Sequence, residues 1–226
     1  MKRNQSGFTL IEIAIVLVII GLLLGGVMKG QELINSAKVK NFGMDFKNIP
    51  IYIYGYQDKF RALPGDDLAA ASHVTSDGIT IPNGNGNGVM AGNWDTVTAA
   101  DETVLFWQHV RLAGLATGST TIPATLTRTD PYFPTNAIGG RIGIESGSAH
   151  PPIDKLKGSY YLCSEGILGK FVTQLDLQMD NGAPDTGAMM AYAYTPPATP
   201  RAANTTGPAA ATSIEPTSTY TVCLGI

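Results

Sequence analysis

From Phe8 to Met28 the chain is apolar for 21 residues, broken only by Thr9 and Glu12. A helix over that run is about 31 Å long, enough to cross the hydrocarbon core of a bilayer. Beyond Met28 the pattern changes. Phe42, Phe46, Ile49, Ile53, Tyr56 and Phe60 recur at alternating steps of four and three, which is one stripe on an α-helix. Lys38, Lys40, Asp45, Lys47, Asp58 and Lys59 fall mostly off it. The same helix therefore continues, with its second half laid on a core. Pro50 is expected to kink it or end a turn near Phe46, and Gly21, Gly25, Gly26 and Gly30 weaken the apolar half. A short helix is predicted over Glu102 to Gly114, with Thr98-x-x-Asp101 as a capping-box start. From Arg141 onward the pattern turns to short runs bounded by Gly, Pro, Asn or Asp. Tyr160–Cys163, Phe171–Leu177, Met189–Tyr194 and Tyr220–Leu224 are strand candidates, with Lys170–Met179 open to a helical reading. Thr195 to Thr219, rich in Thr, Ala and Pro, has no apolar period and reads as an exposed, mobile loop.

The flanks of the apolar run set its orientation. Lys2 and Arg3 precede it with no acidic residue to offset them, which keeps Met1 in the cytoplasm and sends the remainder across the membrane. A secretory signal peptide has a shorter core, about 7–15 residues, closed by a small-residue cleavage site, and Gly25-Gly26 is a poor substitute. A plain anchor explains the length but leaves Glu12 without a reason. A carboxylate within a bilayer costs roughly 2.5–3.5 kcal/mol on insertion scales, so such residues usually have a partner.

Gly7-Phe8-Thr9-Leu10-Ile11-Glu12, behind a basic leader and before some twenty apolar residues, resembles the leader junction of type IV pilins and type II secretion pseudopilins. The resemblance implies that prepilin peptidase cuts between Gly7 and Phe8, that the new Phe8 amine is methylated, and that Glu12 is the glutamate at the fifth mature position. It implies a pilin-like α+β fold: a leader (1–7), an N-terminal helix (8–60, with 8–28 as transmembrane segment and filament core), and an antiparallel-sheet head (61–226). Its partners are then other pilin or pseudopilin subunits, the peptidase and an inner-membrane assembly platform, with the head in the periplasm before assembly. In a staggered bundle Glu12 of one subunit meets the Phe8 amine of its neighbour, and each buried charge needs the other. Ala62-Leu63-Pro64-Gly65-Asp66, a Gly/Asn-rich loop, and Glu102 to Gly114 (ETVLFWQHVRLAG) resemble a group of prepilin-type proteins with an "LPGD" turn and a "WQH" helix. Many type IV pilins carry proline where this chain has Lys29, so the resemblance does not say where its helix bends.

Composition narrows the rest. Charged residues are 15% of the chain, net charge is −3, and Gly (26) and Pro (14) are plentiful, which suits a loop-rich extracytoplasmic head. No basic patch supports nucleic-acid binding. Cys163 and Cys223 lie outside any C-x-x-C spacing, and in an exported chain an even pair reads first as a disulfide. Asn83 to Gly88 alternates Asn and Gly but lacks the Gly-Lys-Ser/Thr of a phosphate loop, and the twelfth position from Asn83 is Trp94 where an EF-hand needs Glu. It reads as a turn with positive-φ glycines. Asp176, Asp180 and Asp185 are candidate calcium ligands, set against the commoner reading of solvated turn carboxylates. His73, His109 and His150 stand without a nucleophile or metal motif. No cofactor is expected and no enzyme is read here. The alternative to a filament subunit is a membrane-tethered or filament-tip binding protein, for which Glu12 and the Gly7-Phe8 junction have no use.

Overall fold

The computed structural model describes residues 9–75, 78–147, 149–195, 199–202 and 204–226. The chain divides into two compact units, Met1–Lys38 and Val39–Ile226. Helix α1 runs from Leu10 to Phe60 and contributes to both. In the first unit its apolar side chains, Leu10 through Ile34, stand exposed. It is long and apolar enough to span a membrane by length and composition.

In the second unit Val39, Phe42, Phe46, Ile49, Ile53 and Tyr56 are buried on one face of α1, as the four-three spacing predicts. Pro50 lies inside the helix, which continues through it; the expected end of a turn near Phe46 does not occur. A mid-helix proline costs about 3 kcal/mol. Ile49 and Ile53 beside it, with Phe46 one turn earlier, are all within 2% of full burial, which outweighs that cost.

Around this face stand α2 (Ala70–His73), α3 (Glu102–Leu112), β1 (Ile142–Ser146), β2 (Tyr160–Leu168), α4 (Gly169–Met179), β3 (Met189–Ala193) and β4 (Thr219–Gly225). The strands form one antiparallel sheet in the order β1-β2-β4-β3. The fold is thus a long N-terminal apolar helix with a small four-stranded antiparallel head, the α+β class expected. Phe42 meets Phe171 of α4, ring centroids 6.0 Å apart. Phe106 and Val110 of α3, Leu162 of β2 and Val222 of β4 complete the main core.

Several boundaries differ from the sequence reading. Phe171–Leu177 is helical, because Phe171, Val172 and Leu175 at helical spacing are the residues it buries. Strand β2 extends to Leu168 across a bulge between Ser164 and Ile167, where Gly166 takes φ 74°. Asp101 occupies the N-cap of α3 without a side-chain cap; its carboxylate accepts from Thr96 Oγ1 instead. The described residues between Thr195 and Thr219 form no strand or helix before β4, yet they are tied down. Gly207 N–H donates to Pro151 O (2.8 Å), Ala211 N–H to Ala191 O (2.8 Å), and the half-buried Arg201 joins a charge network. The expected exposure holds for most of these residues, and the anchors are single contacts that a periodicity test cannot see.

Candidate functional site

Gly7 and Phe8, the cleavage residues of the sequence reading, lie outside the described residues. Glu12 is described and exposed. Its Oε2 accepts from both the backbone N–H and the hydroxyl of Thr9, each at 2.7 Å, while its own N–H donates to Thr9 Oγ1 at 3.3 Å. This is a reciprocal capping box, Thr-x-x-Glu, at the start of α1. The signal for it is present in Thr9-Leu10-Ile11-Glu12, beside the leader-junction reading of the same residues, which assigns Glu12 to assembly and says nothing of a cap. Oε1 makes no hydrogen bond among the described residues, so one oxygen remains open to a donor from outside.

The head contains a second polar centre, built on the Pro64-Gly65-Asp66-Asp67 turn. Gly65 has φ 90°, and a Cβ there would meet Glu102 O at 2.4 Å, so the turn is pressed against the first residue of α3. Asp66 accepts from the amides of Asn87 (3.1 Å) and Gly88 (2.7 Å). Glu102 accepts from those of Asn85 and Ala91, each at 2.8 Å. The Asn/Gly loop therefore wraps two carboxylates of its own chain, with Gly86 and Gly88 at positive φ as expected. His109 is fully buried: Nδ1 accepts from Gly65 N–H (3.0 Å), and Nε2 faces Pro82 O at 3.0 Å. Burial holds its pKa down, against the pull of Pro82 and Asp67, which fits a neutral ring with its proton on Nε2. Asp67 takes Tyr56 OH and His73 Nδ1, each at 2.7 Å. Burial pushes Asp67 up, but the His73, Tyr56 and Ala69 contacts together hold it below the ordinary value.

A third group joins the sheet to its covering loops. Arg128 pairs with Asp95 (3.1 Å) and with Glu165, and Arg201 pairs with Glu145 (2.7 Å). Arg141 donates to the carbonyls of Trp94, Asp95 and Thr96. None of these six charges was singled out from sequence, since nothing in their spacing marks them. Cys163 of β2 and Cys223 of β4 are register partners and form a disulfide, Cα–Cα 4.1 Å.

The calcium reading does not gain a site. Asp176 accepts from Gly182 N–H (3.0 Å), Asp180 from Met189 N–H (2.9 Å), and Asp185 is exposed. Among the described residues no three His, Cys, Asp or Glu side chains stand together as metal ligands. The aspartates have instead been drawn into the turn that carries α4 into β3.

With the exposed apolar helix and its single capped carboxylate established, comparison with known families becomes decisive for the N-terminus. Residues 2–28 match the prokaryotic N-terminal methylation motif. This is the type IV pilin and pseudopilin signature. The match covers residues 2–28 of 226 and bears on the N-terminal segment alone, where it supports a pilin- or pseudopilin-like reading. No curated protein and no solved structure gives a significant match to the chain.

Proposed function

We propose that this chain is a filament subunit of the type IV pilus or type II secretion pseudopilus class. It is cut between Gly7 and Phe8, N-methylated on Phe8, held by residues 8–28 in the inner membrane with the head (61–226) in the periplasm, and extracted by an assembly platform into a filament. The observation that carries this reading is the methylation motif over residues 2–28, coinciding with an unburied apolar stretch of α1, residues 10–28, that holds one carboxylate. Methylation keeps the charge of the Phe8 amine. In a helix bundle that ammonium and the open Oε1 of a neighbouring Glu12 are each other's natural counter-charge. Apolar burial alone lets one helix slide along the next; the ion pair sets a single register. The capping box is compatible with this role, because it uses Oε2 alone.

The test is Glu12→Val. The substitution makes the segment more apolar, so membrane level and the Cys163–Cys223 disulfide should match wild type. Incorporation into sheared filaments should fail, since a buried ammonium left without its partner costs about 3–5 kcal/mol. N-terminal sequencing of the wild type should begin at N-methyl-Phe8. A variant that enters filaments as wild type does, or a mature protein that retains Met1, overturns the proposal and favours a tethered binding protein.

A further inference from the structure

Within the unit Val39–Ile226, a half-open cavity of about 170 Å³ lies between α1 and the segments that follow α3. Its polar wall is Asp45 and Asn48 of α1 with Thr117 and Thr135; its aromatic wall is Tyr52 of α1 and Trp107 of α3. Ile49, Ala116, Pro134 and Ile142 close the rest. Asp45 is half-buried, and no donor or cation answers its carboxylate among the described residues. Burial pushes it up to about 6, with no other cause contributing. Every other buried or half-buried carboxylate described above has a donor in its own chain.

The composition of the walls selects the missing partner. A lone carboxylate is a poor cage for a hard inorganic cation, which wants six or more oxygens. A weakly hydrated organic cation gains from both walls: charge against the carboxylate, and methylenes against rings whose faces carry negative quadrupole. Trp107 already attracts one cation, since the Arg111 guanidinium stands 5.6 Å from its ring. That arginine is committed to the carbonyls of Thr117 (3.2 Å) and Ser119 (2.9 Å). We propose that this cavity is a binding site for an alkylammonium group, received on the Asp45 carboxylate between the Tyr52 and Trp107 side chains. The volume takes an ammonium with a few methylenes and excludes a larger ring system. The group has two sources of the same chemistry, a soluble amine or a lysine side chain of a second copy of the chain. The site does not depend on the filament reading, because the residues that form it lie in one unit.

The experiment uses the full chain in detergent micelles at pH 8, where Asp45 is ionised. n-Butylammonium chloride is titrated in by calorimetry, with sodium chloride at equal ionic strength as the control. Saturable millimolar binding is expected. Asp45→Asn should weaken it at least tenfold and Tyr52→Leu about two- to fivefold. Disulfide formation and the melting temperature report that each variant is folded, and Tyr52→Leu decides alone if Asp45→Asn fails that check. A saturating amine that dissociates self-associated chain in sedimentation identifies the neighbour's lysine as the natural occupant; saturable binding without dissociation identifies a soluble amine. Absence of saturation, equal binding by a folded Asp45→Asn variant, or displacement of the amine by stoichiometric calcium chloride overturns the proposal.

Discussion

Glu145 sits on the edge strand β1, almost wholly buried, and accepts from Trp94 N–H at 2.8 Å and from Arg201 Nη2 at 2.7 Å. Burial nevertheless pushes it from 4.5 up to about 7, overcoming the pull of Arg201 and the Trp94 amide, with Asp95 adding to the rise. Desolvation outweighs the ion pair, as the energetics of buried salt bridges allow. The sign follows from proton counting. Between pH 4.5 and 7 the unfolded chain has lost this proton while the folded chain keeps it, so stability falls as pH rises. The full contribution is present below about pH 4.5 and gone above about pH 7. The span from 4.5 to about 7 corresponds to about 3 kcal/mol.

Glu145→Gln imitates the protonated form and cannot titrate. The melting temperature of wild type relative to this variant should therefore drop by roughly 6–12 °C between pH 4 and pH 8, taking 2–4 °C per kcal/mol for a unit of this size. Other titrating groups, Asp45 among them, are common to both proteins and cancel in the difference. Arg201→Met should act in the opposite direction: with its partner removed Glu145 rises further, and the loss at pH 8 should be about 3–5 kcal/mol. Thermal melts by near-ultraviolet circular dichroism, at fixed ionic strength from pH 4 to 8, read both. Parallel curves for wild type and Glu145→Gln would refute the reasoning, because they require a carboxylate that titrates at its ordinary value.

Two further outcomes follow from the head. Replacing both cysteines with serine should destabilise the unit by roughly 4 kcal/mol on the chain-entropy model for a loop of 60 residues, and a melting temperature equal to that of the oxidised wild type would exclude this. Asp66→Ala should take the acceptor from Gly88 N–H and leave Asn87 N–H to Asn85 Oδ1 alone, at a cost of about 1–3 kcal/mol for the lost bonds to a charged group; faster hydrogen exchange at Gly88, with α4 unchanged, is the signature, and unchanged exchange there sinks it.

What sequence made legible follows a physical division. Features repeated along the chain were readable: the 21 apolar residues, the four-three stripe of α1, the cysteine pair, the runs that became β2, β3 and β4. Each is carried by several residues, so one misread position does not matter. Features made by single residues across long separations were not. Arg201 reaches Glu145 over 56 positions and Arg141 reaches Trp94 over 47. Only folding makes those pairs, and no local pattern marks them. The helix starts at Glu102 as expected, but its side-chain cap is missing for a related reason: Thr96 competes for the carboxylate that a capping box expects to find free. Phe171–Leu177 was ambiguous because a short apolar run fits either period until its buried face is known.

The buried carboxylates give the polar architecture of the head a common logic. A chain with 26 glycines and 14 prolines leaves many loop amides without a ladder partner, and each must still find an acceptor. Here acidic side chains supply it. Asp66 serves Asn87 and Gly88, Glu102 serves Asn85 and Ala91, Glu145 serves Trp94, Asp176 serves Gly182, and Asp180 serves Met189. A carboxylate has acceptor sites for several donors and no proton to place, so one residue organises two loop amides. That use explains why the acidic turns look like cation loops in sequence and do not gather as metal ligands in the fold: much of the oxygen that would face a metal already faces backbone N–H. It also sets Asp45 apart. A half-buried carboxylate with no amide to hold, facing a cavity walled by two aromatic rings, is the exception to the rule the rest of the head obeys.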